Sequence, residues 1–272
     1  MNRPIGVIDS GVGGMTVARE LMRQLPNEEL IYVGDTLRCP YGPRPEQEVR
    51  EFTWQMVNFL LTKHIKMLVI ACNTATAFTL EELKKELDIP VIGVIQPGAR
   101  AAIKSTKNLH IGVIGTEGTI SSRAYTDALQ HINAHIHVNS LACPPFVPLV
   151  EQGILSGPRA KHVVSETLQP MKESNHIDTL ILGCTHYPLL EDTIQEVMGD
   201  QITIICSGDE TAREVSVILD YYNSLYEGER VPEHHFYATG DKDLFEQVAN
   251  DWFDEPIFNI RLLDLEGINT HN

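Results

Sequence analysis

Two pairs of echoing runs, and the spacing between them, constrain the fold of this chain more than any other feature. Ile5-Gly6-Val7-Ile8-Asp9-Ser10 is answered by Ile111-Gly112-Val113-Ile114-Gly115-Thr116. Val69-Ile70-Ala71-Cys72-Asn73-Thr74 is answered by Ile181-Leu182-Gly183-Cys184-Thr185-His186. The first pair lies 106 residues apart and the second 112. Two motifs recurring at nearly one offset imply two copies of one structural unit. Apolar strands resemble one another by chance, but cysteine is rare, with five in 272 residues, and it stands at the same place in both copies.

Each copy alternates short Val/Ile/Leu-rich runs with helical patterns. Strands are expected near 5–9, 30–34, 67–71, 91–95, 110–114, 136–141, 178–182, 202–206 and 235–239. Helices fit between them, for example over 46–63, 74–87, 158–172 and 208–226. Strands apolar throughout are buried on both faces, which indicates mainly parallel sheets flanked by helices. The expected architecture is α/β, with two similar domains related by a pseudo-two-fold axis and a site between them. The first domain would comprise 1–97 plus 208–272, the second 98–207. Ser207-x-x-Glu210 has the pattern of a capping box for the helix from 208.

Composition narrows the function. Hydrophobic residues make up 43% of the chain, enough for well-formed cores. The formal net charge of −16 repels phosphate backbones, which argues against nucleic acid as a partner. No apolar stretch reaches the ~18 residues of a membrane span, and no charged-then-apolar leader precedes Ile5. The five cysteines lie far apart with no C-x-x-C pair, so a disulfide framework or structural zinc is not expected. A cytoplasmic location follows.

Ligands in open α/β sheets bind beyond the carboxyl ends of strands. Cys72 and Cys184 each stand at such an end, one per copy, so a crevice between the copies would have a thiol on either side. One such cysteine suggests a nucleophile. Two facing each other suit the inversion of a stereocentre that bears a hydrogen, which needs a base on one face and an acid on the other. Cysteine fits both roles because its two protonation states are accessible near working pH. Asp9, ending the first strand, and His186, two residues past Cys184, are candidate tuners of the thiols. Asp9-Ser10 could also cap the helix that follows. Cys143 and Cys206 read as core, and Cys39 as a partly exposed loop residue without a catalytic role.

Asp9-Ser10-Gly11-Val12-Gly13-Gly14, Pro40-Tyr41-Gly42, Cys72-Asn73-Thr74-Ala75-Thr76 and Gly183-Cys184-Thr185-His186-Tyr187-Pro188 together resemble bacterial glutamate racemases of the aspartate/glutamate racemase family. The likeness covers nearly the whole chain. It implies two α/β domains, interconversion of L- and D-glutamate without cofactor or metal, a supply of D-glutamate for peptidoglycan, and a homodimer. Carried over, the acid/base pair falls on Cys72 and Cys184. Cys72 would deprotonate D-glutamate and Cys184 L-glutamate. Substrate contacts fall on Asp9, Ser10, Tyr41, Gly42, Asn73, Thr74, Thr185 and His186. Thr116 and Thr119, in the second copy of the first motif, are further candidates for the side-chain carboxylate.

Other features carry blander readings. Gly11-Val12-Gly13-Gly14 lacks the third glycine of a dinucleotide fingerprint, since position 16 is Thr16, and would instead let the backbone approach a small anion. His131, His135 and His137 read as a solvated helix end running into a strand. Glu151 could face the cleft or the surface. Rival functions are an aspartate-type racemase, a cysteine hydrolase using one thiol, and an amino-acid binding module that needs neither.

Overall fold

The computed structural model describes residues 2–174, 176–252, 257 and 260–265. Its strands form two all-parallel sheets. The first is built from β1 (Ile5–Asp9), β2 (Leu30–Gly34), β3 (Met67–Ile70), β4 (Val91–Gly93), β9 (His235–Ala238) and β10 (Arg261–Leu262), in the order β10-β9-β2-β1-β3-β4. The second holds β5 (His110–Gly115), β6 (His137–Ala142), β7 (Thr179–Gly183) and β8 (Thr203–Cys206), in the order β6-β5-β7-β8.

The strand order repeats. β2-β1-β3-β4 and β6-β5-β7-β8 are the same arrangement, with β5 standing where β1 stands and β7 where β3 stands. The echoing runs therefore occupy equivalent central strands. The first sheet extends the pattern with β9, paired to β2, and with the two-residue β10 at the edge.

Helices cover both faces of each sheet, which is why the strands are apolar on both sides. Ile5 and Val7 pack with α1 (Met15–Gln24) and α10 (Ser207–Tyr221), while Ile8 turns to α2 (Glu46–Leu61) and α3 (Asn73–Glu86). In the second sheet Ile111 and Val113 pack with α4 (Ile95–Ser105) and α6 (Ala124–Ile132). Leu180 and Leu182 pack with α7 (Phe146–Glu151), α8 (Gly157–Glu173) and α9 (Glu191–Met198). Full burial of each such side chain contributes roughly 1.5–3 kcal/mol.

Three expectations change, the first being that the helix expected to reach 226 ends at Tyr221. The strand from Val91 ends at Gly93, because α4 begins at Ile95. The capping box does not form: Ser207 is already helical, Cys206 holds the N-cap position, and no side chain caps it.

Candidate active site

Cys72 follows β3 and is the N-cap of α3. Its backbone is extended, and its sulfur accepts the Ala75 N–H at 3.5 Å, as a Ser or Asp oxygen would at this position. The thiol donates toward Ser10 Oγ at 3.7 Å. Only 5% of the residue is exposed. Burial, reinforced by the nearby Asp9 carboxylate, pushes the Cys72 thiol up to about 12.

Cys184 follows β7, and its sulfur lies 3.9 Å from His186 Nδ1. Pro188 sits in a 3-10 turn over Tyr187–Leu190 that fixes the chain just beyond. On the other side of the imidazole, His186 Nε2 stands 3.6 Å from Glu151 Oε1, an ion-pair distance too long for a hydrogen bond. Burial alone would push His186 down. Its contacts with Cys184 and Glu151 outweigh that and bring it up to about 10, so the ring is a cation at neutral pH. The same contact holds Glu151 below the usual carboxylate range.

Both cysteines line one cavity, with Ser10, Asn73 and Thr74 from the first half and Thr116, Thr185 and His186 from the second. Tyr41, Gly42, Pro40 and Val147 complete its wall. It encloses about 20 Å³, room for little more than one water. A far larger groove of about 840 Å³ lies between α3, α4 and α6, but neither cysteine reaches it.

Behind this wall the other expected residues hold the frame. Asp9 is fully buried and does not line the cavity. Its Oδ1 accepts the Gly11 and Gly14 N–H groups at 3.0 and 2.9 Å, and its Oδ2 accepts Thr185 Oγ1 at 3.4 Å. It therefore fastens the glycine loop rather than capping α1, and burial raises it to about 6. The loop needs its glycines for close contact. A Cβ at Gly14 would lie 2.4 Å from Asp9 Cβ, and one at Gly13 2.6 Å from Thr185 Oγ1 and 2.7 Å from His186 Nδ1. Gly13 thus admits the second half of the molecule.

Thr74 Oγ1 is 2.8 Å from Thr116 Oγ1 and 3.2 Å from Thr119 Oγ1. Thr119 itself does not line the cavity. Asn73 Oδ1 accepts the Tyr125 hydroxyl at 2.8 Å. Tyr41 donates its hydroxyl to Asp35 at 2.5 Å, leaving its ring and backbone to face the site. Gly42 C=O accepts the Gly118 N–H across the two halves at 2.9 Å.

Sequence reasoning passed over Asp35, which anchors Tyr41, and Trp252, whose ring meets His186 edge-on at 6.1 Å. It also left the position of Glu151 open. Cys143 is fully buried, as expected for core, whereas Cys206 is half-buried and donates to Glu191 at 3.1 Å. His131 and His135 are exposed, and His137 stacks on His110 at 4.6 Å.

Residues 5–215 match the family model for Asp/Glu/Hydantoin racemase. The chain belongs to that family. Within it, a glutamate racemase of Oceanobacillus iheyensis is 64% identical over 271 residues, covering 100% of this chain and 99% of the relative. Among solved structures, a glutamate racemase isoform from Bacillus anthracis matches with a TM-score of 0.94 at 49% identity, over 97% of this chain and 98% of the other. A glutamate racemase from Francisella tularensis, solved with D-glutamate, matches with a TM-score of 0.90 at 34% identity, over the same shares. The two parallel sheets with flanking helices are thus the family's fold.

Proposed function

We propose that this chain is a glutamate racemase in which Cys72 and Cys184 move the α-proton across the two faces of the substrate. The observation that carries the reading is the meeting of two thiols, one from each repeat, in a single small cavity. The high identity to glutamate racemases over the full chain gives the substrate.

The contacts of the two sulfurs fit one direction of turnover. Cys72 is held as a thiol, ready to donate. Cys184 is the base in this direction, with the His186 ring 3.9 Å from its sulfur. In this state the Cys184 sulfur takes the α-hydrogen of L-glutamate as a proton, and the Cys72 S–H gives its proton to the opposite face. The enzyme is left with the two sulfurs exchanged, which is the form that accepts D-glutamate. The first N–H groups of α3, which lack helical partners, and the hydroxyls of Ser10, Thr74, Thr116 and Thr185 would hold the carboxylates. Asn73 would help orient the ammonium, while Asp9, Thr119, Tyr41 and Gly42 support the residues in contact.

A cavity with room for about one water does not admit glutamate, so the two halves must part and reclose around it. Closure removes water, which strengthens the contacts to a carbanion-like transition state. The moving units would be residues 1–97 with 208–272 and residues 98–207. The packing of α10 on α1 supports returning the later segment to the first unit; its residues 253–256, 258–259 and 266–272 lie outside the described ones. We further place the enzyme in the cytoplasm as a homodimer that supplies D-glutamate to peptidoglycan and needs no cofactor. Among the described residues no helix is long and apolar enough to cross a membrane.

The test is to incubate L-glutamate in D₂O with no added cofactor, following optical rotation and deuterium at the α-carbon. Loss of rotation with one deuterium per product molecule supports the reading. Rotation that persists, for glutamate and not for aspartate, would overturn it.

A further inference from the structure

We propose that Cys39, Glu151 and His186 form a zinc-class cation site at the rim of the cleft, and that a cation there clamps the two halves shut. Cys39 comes from the loop after β2, in the first half. Glu151 ends α7 and His186 follows β7, both in the second. One ligand atom from each lies within 4.8 Å of the other two.

The spacing suits a tetrahedral ion. At the usual zinc–ligand lengths, neighbouring donor atoms stand roughly 3.3–3.6 Å apart. Cys39 Sγ is 3.5 Å from Glu151 Oε1, and His186 Nε2 is 3.6 Å from the same oxygen. A sulfur, an imidazole nitrogen and a carboxylate oxygen are the donor set of a borderline-soft divalent cation, and three protein donors leave a fourth position for water.

A second, independent observation points to the same place. His186 is 2% exposed, and among the described residues its Nε2 has no hydrogen-bond partner, only the ion-pair approach of Glu151 at 3.6 Å. Buried polar atoms are ordinarily satisfied, and a metal bond to Nε2 would satisfy this one. Nδ1, facing Cys184, then keeps its proton, so the ion selects one tautomer of the ring. The Glu151 side chain is 43% exposed, which gives the ion a path from solvent.

Binding forms bonds from the cation to Cys39 Sγ, His186 Nε2 and a Glu151 oxygen. The protons displaced from Cys39 and His186 go to solvent. Because the ligands come from both halves, the bound ion holds them together, and a cavity with room for about one water excludes substrate. Zinc would therefore inhibit, in competition with glutamate. That consequence rests on the racemase reading, whereas the site itself does not.

The test uses the whole chain with Co²⁺ as a spectroscopic probe and Zn²⁺ as its competitor. The native chain should take one Co²⁺ with a thiolate charge-transfer band that Zn²⁺ removes. Cys72→Ser should keep the band. Cys39→Ser should lose it, with zinc affinity falling at least ~100-fold, and Glu151→Gln should weaken binding about 10-fold. Circular dichroism checks that each variant is folded. With glutamate, Cys39→Ser should turn over normally without zinc and resist zinc inhibition by the same ~100-fold. A band absent from the native chain, retained in Cys39→Ser or lost in Cys72→Ser would overturn the site. A band behaving as expected in a chain that does not racemise would leave the site standing and remove the function.

Discussion

The two thiols occupy matching places in matching units, yet their surroundings differ. Cys72 has a hydroxyl, a backbone N–H and, further off, the negative Asp9. Cys184 has a buried imidazolium backed by a carboxylate. The repeat therefore dictates where each sulfur stands, while a few side chains dictate what each sulfur touches. Backbone symmetry and chemical symmetry are separate properties, and this molecule has only the first.

The strongest way to break the comparison is to remove one sulfur at a time. Cys72→Ala and Cys184→Ala should each lower racemisation by about 10²–10⁴-fold, the range expected for losing an acid or base. Circular dichroism of the substrate measures it. If only one substitution matters, the molecule uses a single thiol and the comparison has no functional meaning.

Removing the cation beside Cys184 sharpens it. Enantiomers have equal free energy in water, so kcat/KM must remain equal in the two directions for any variant. Asymmetry can show only in kcat and KM taken separately. His186→Asn should lower kcat for L-glutamate about 10-fold more than kcat for D-glutamate. It should also change the pH dependence of stability. His186 rises from 6.5 to about 10 on folding, so its contribution is full below pH 6.5 and disappears as pH climbs through about 10. Denaturant midpoints of the variant should lack that decline.

Asp9 has the same sign of linkage, reached through burial of its neutral form rather than through partners of a charged one. Burial raises it from 3.8 to about 6, so the fold favours its neutral form. Its ionisation costs stability as pH rises through that window, and Asp9→Asn escapes the cost. The variant should unfold at pH 7 at the same temperature as the native chain or higher, while turnover falls about 10-fold through the loosened glycine loop and Thr185. A lower unfolding temperature would show that Asp9 acts as a stabilising anion. The smallest effect belongs to Cys143→Ala, a buried sulfur away from the cavity wall. It should cost about 1 kcal/mol in denaturant unfolding and leave turnover unchanged.

The legible parts of the sequence are those where physics is local. Strands buried on both faces are continuous apolar runs, so 5–9 and 30–34 were readable to the residue. The end of β4 was not, because Val94 and Ile95 prolong the apolar run although the helix has begun. β10 has two exposed residues and no pattern to read. At the site, the cysteines announced themselves through the repeat. Glu151 and Trp252 did not, because tertiary packing alone brings them to His186. The glycines of the loop signal a close backbone approach, and at Gly13 the groups that come close are Thr185 and His186.

The repeated strand order has an evolutionary consequence. A forebear carrying one copy could have enclosed such a pocket only as a two-fold dimer, with identical residues on both sides by symmetry. Fusion into one polypeptide lifts that obligation, and each side becomes free to drift. Two positions past each sulfur the copies now carry Thr74 and His186. The imidazolium on one side alone is a specialisation that no symmetric ancestor could have held.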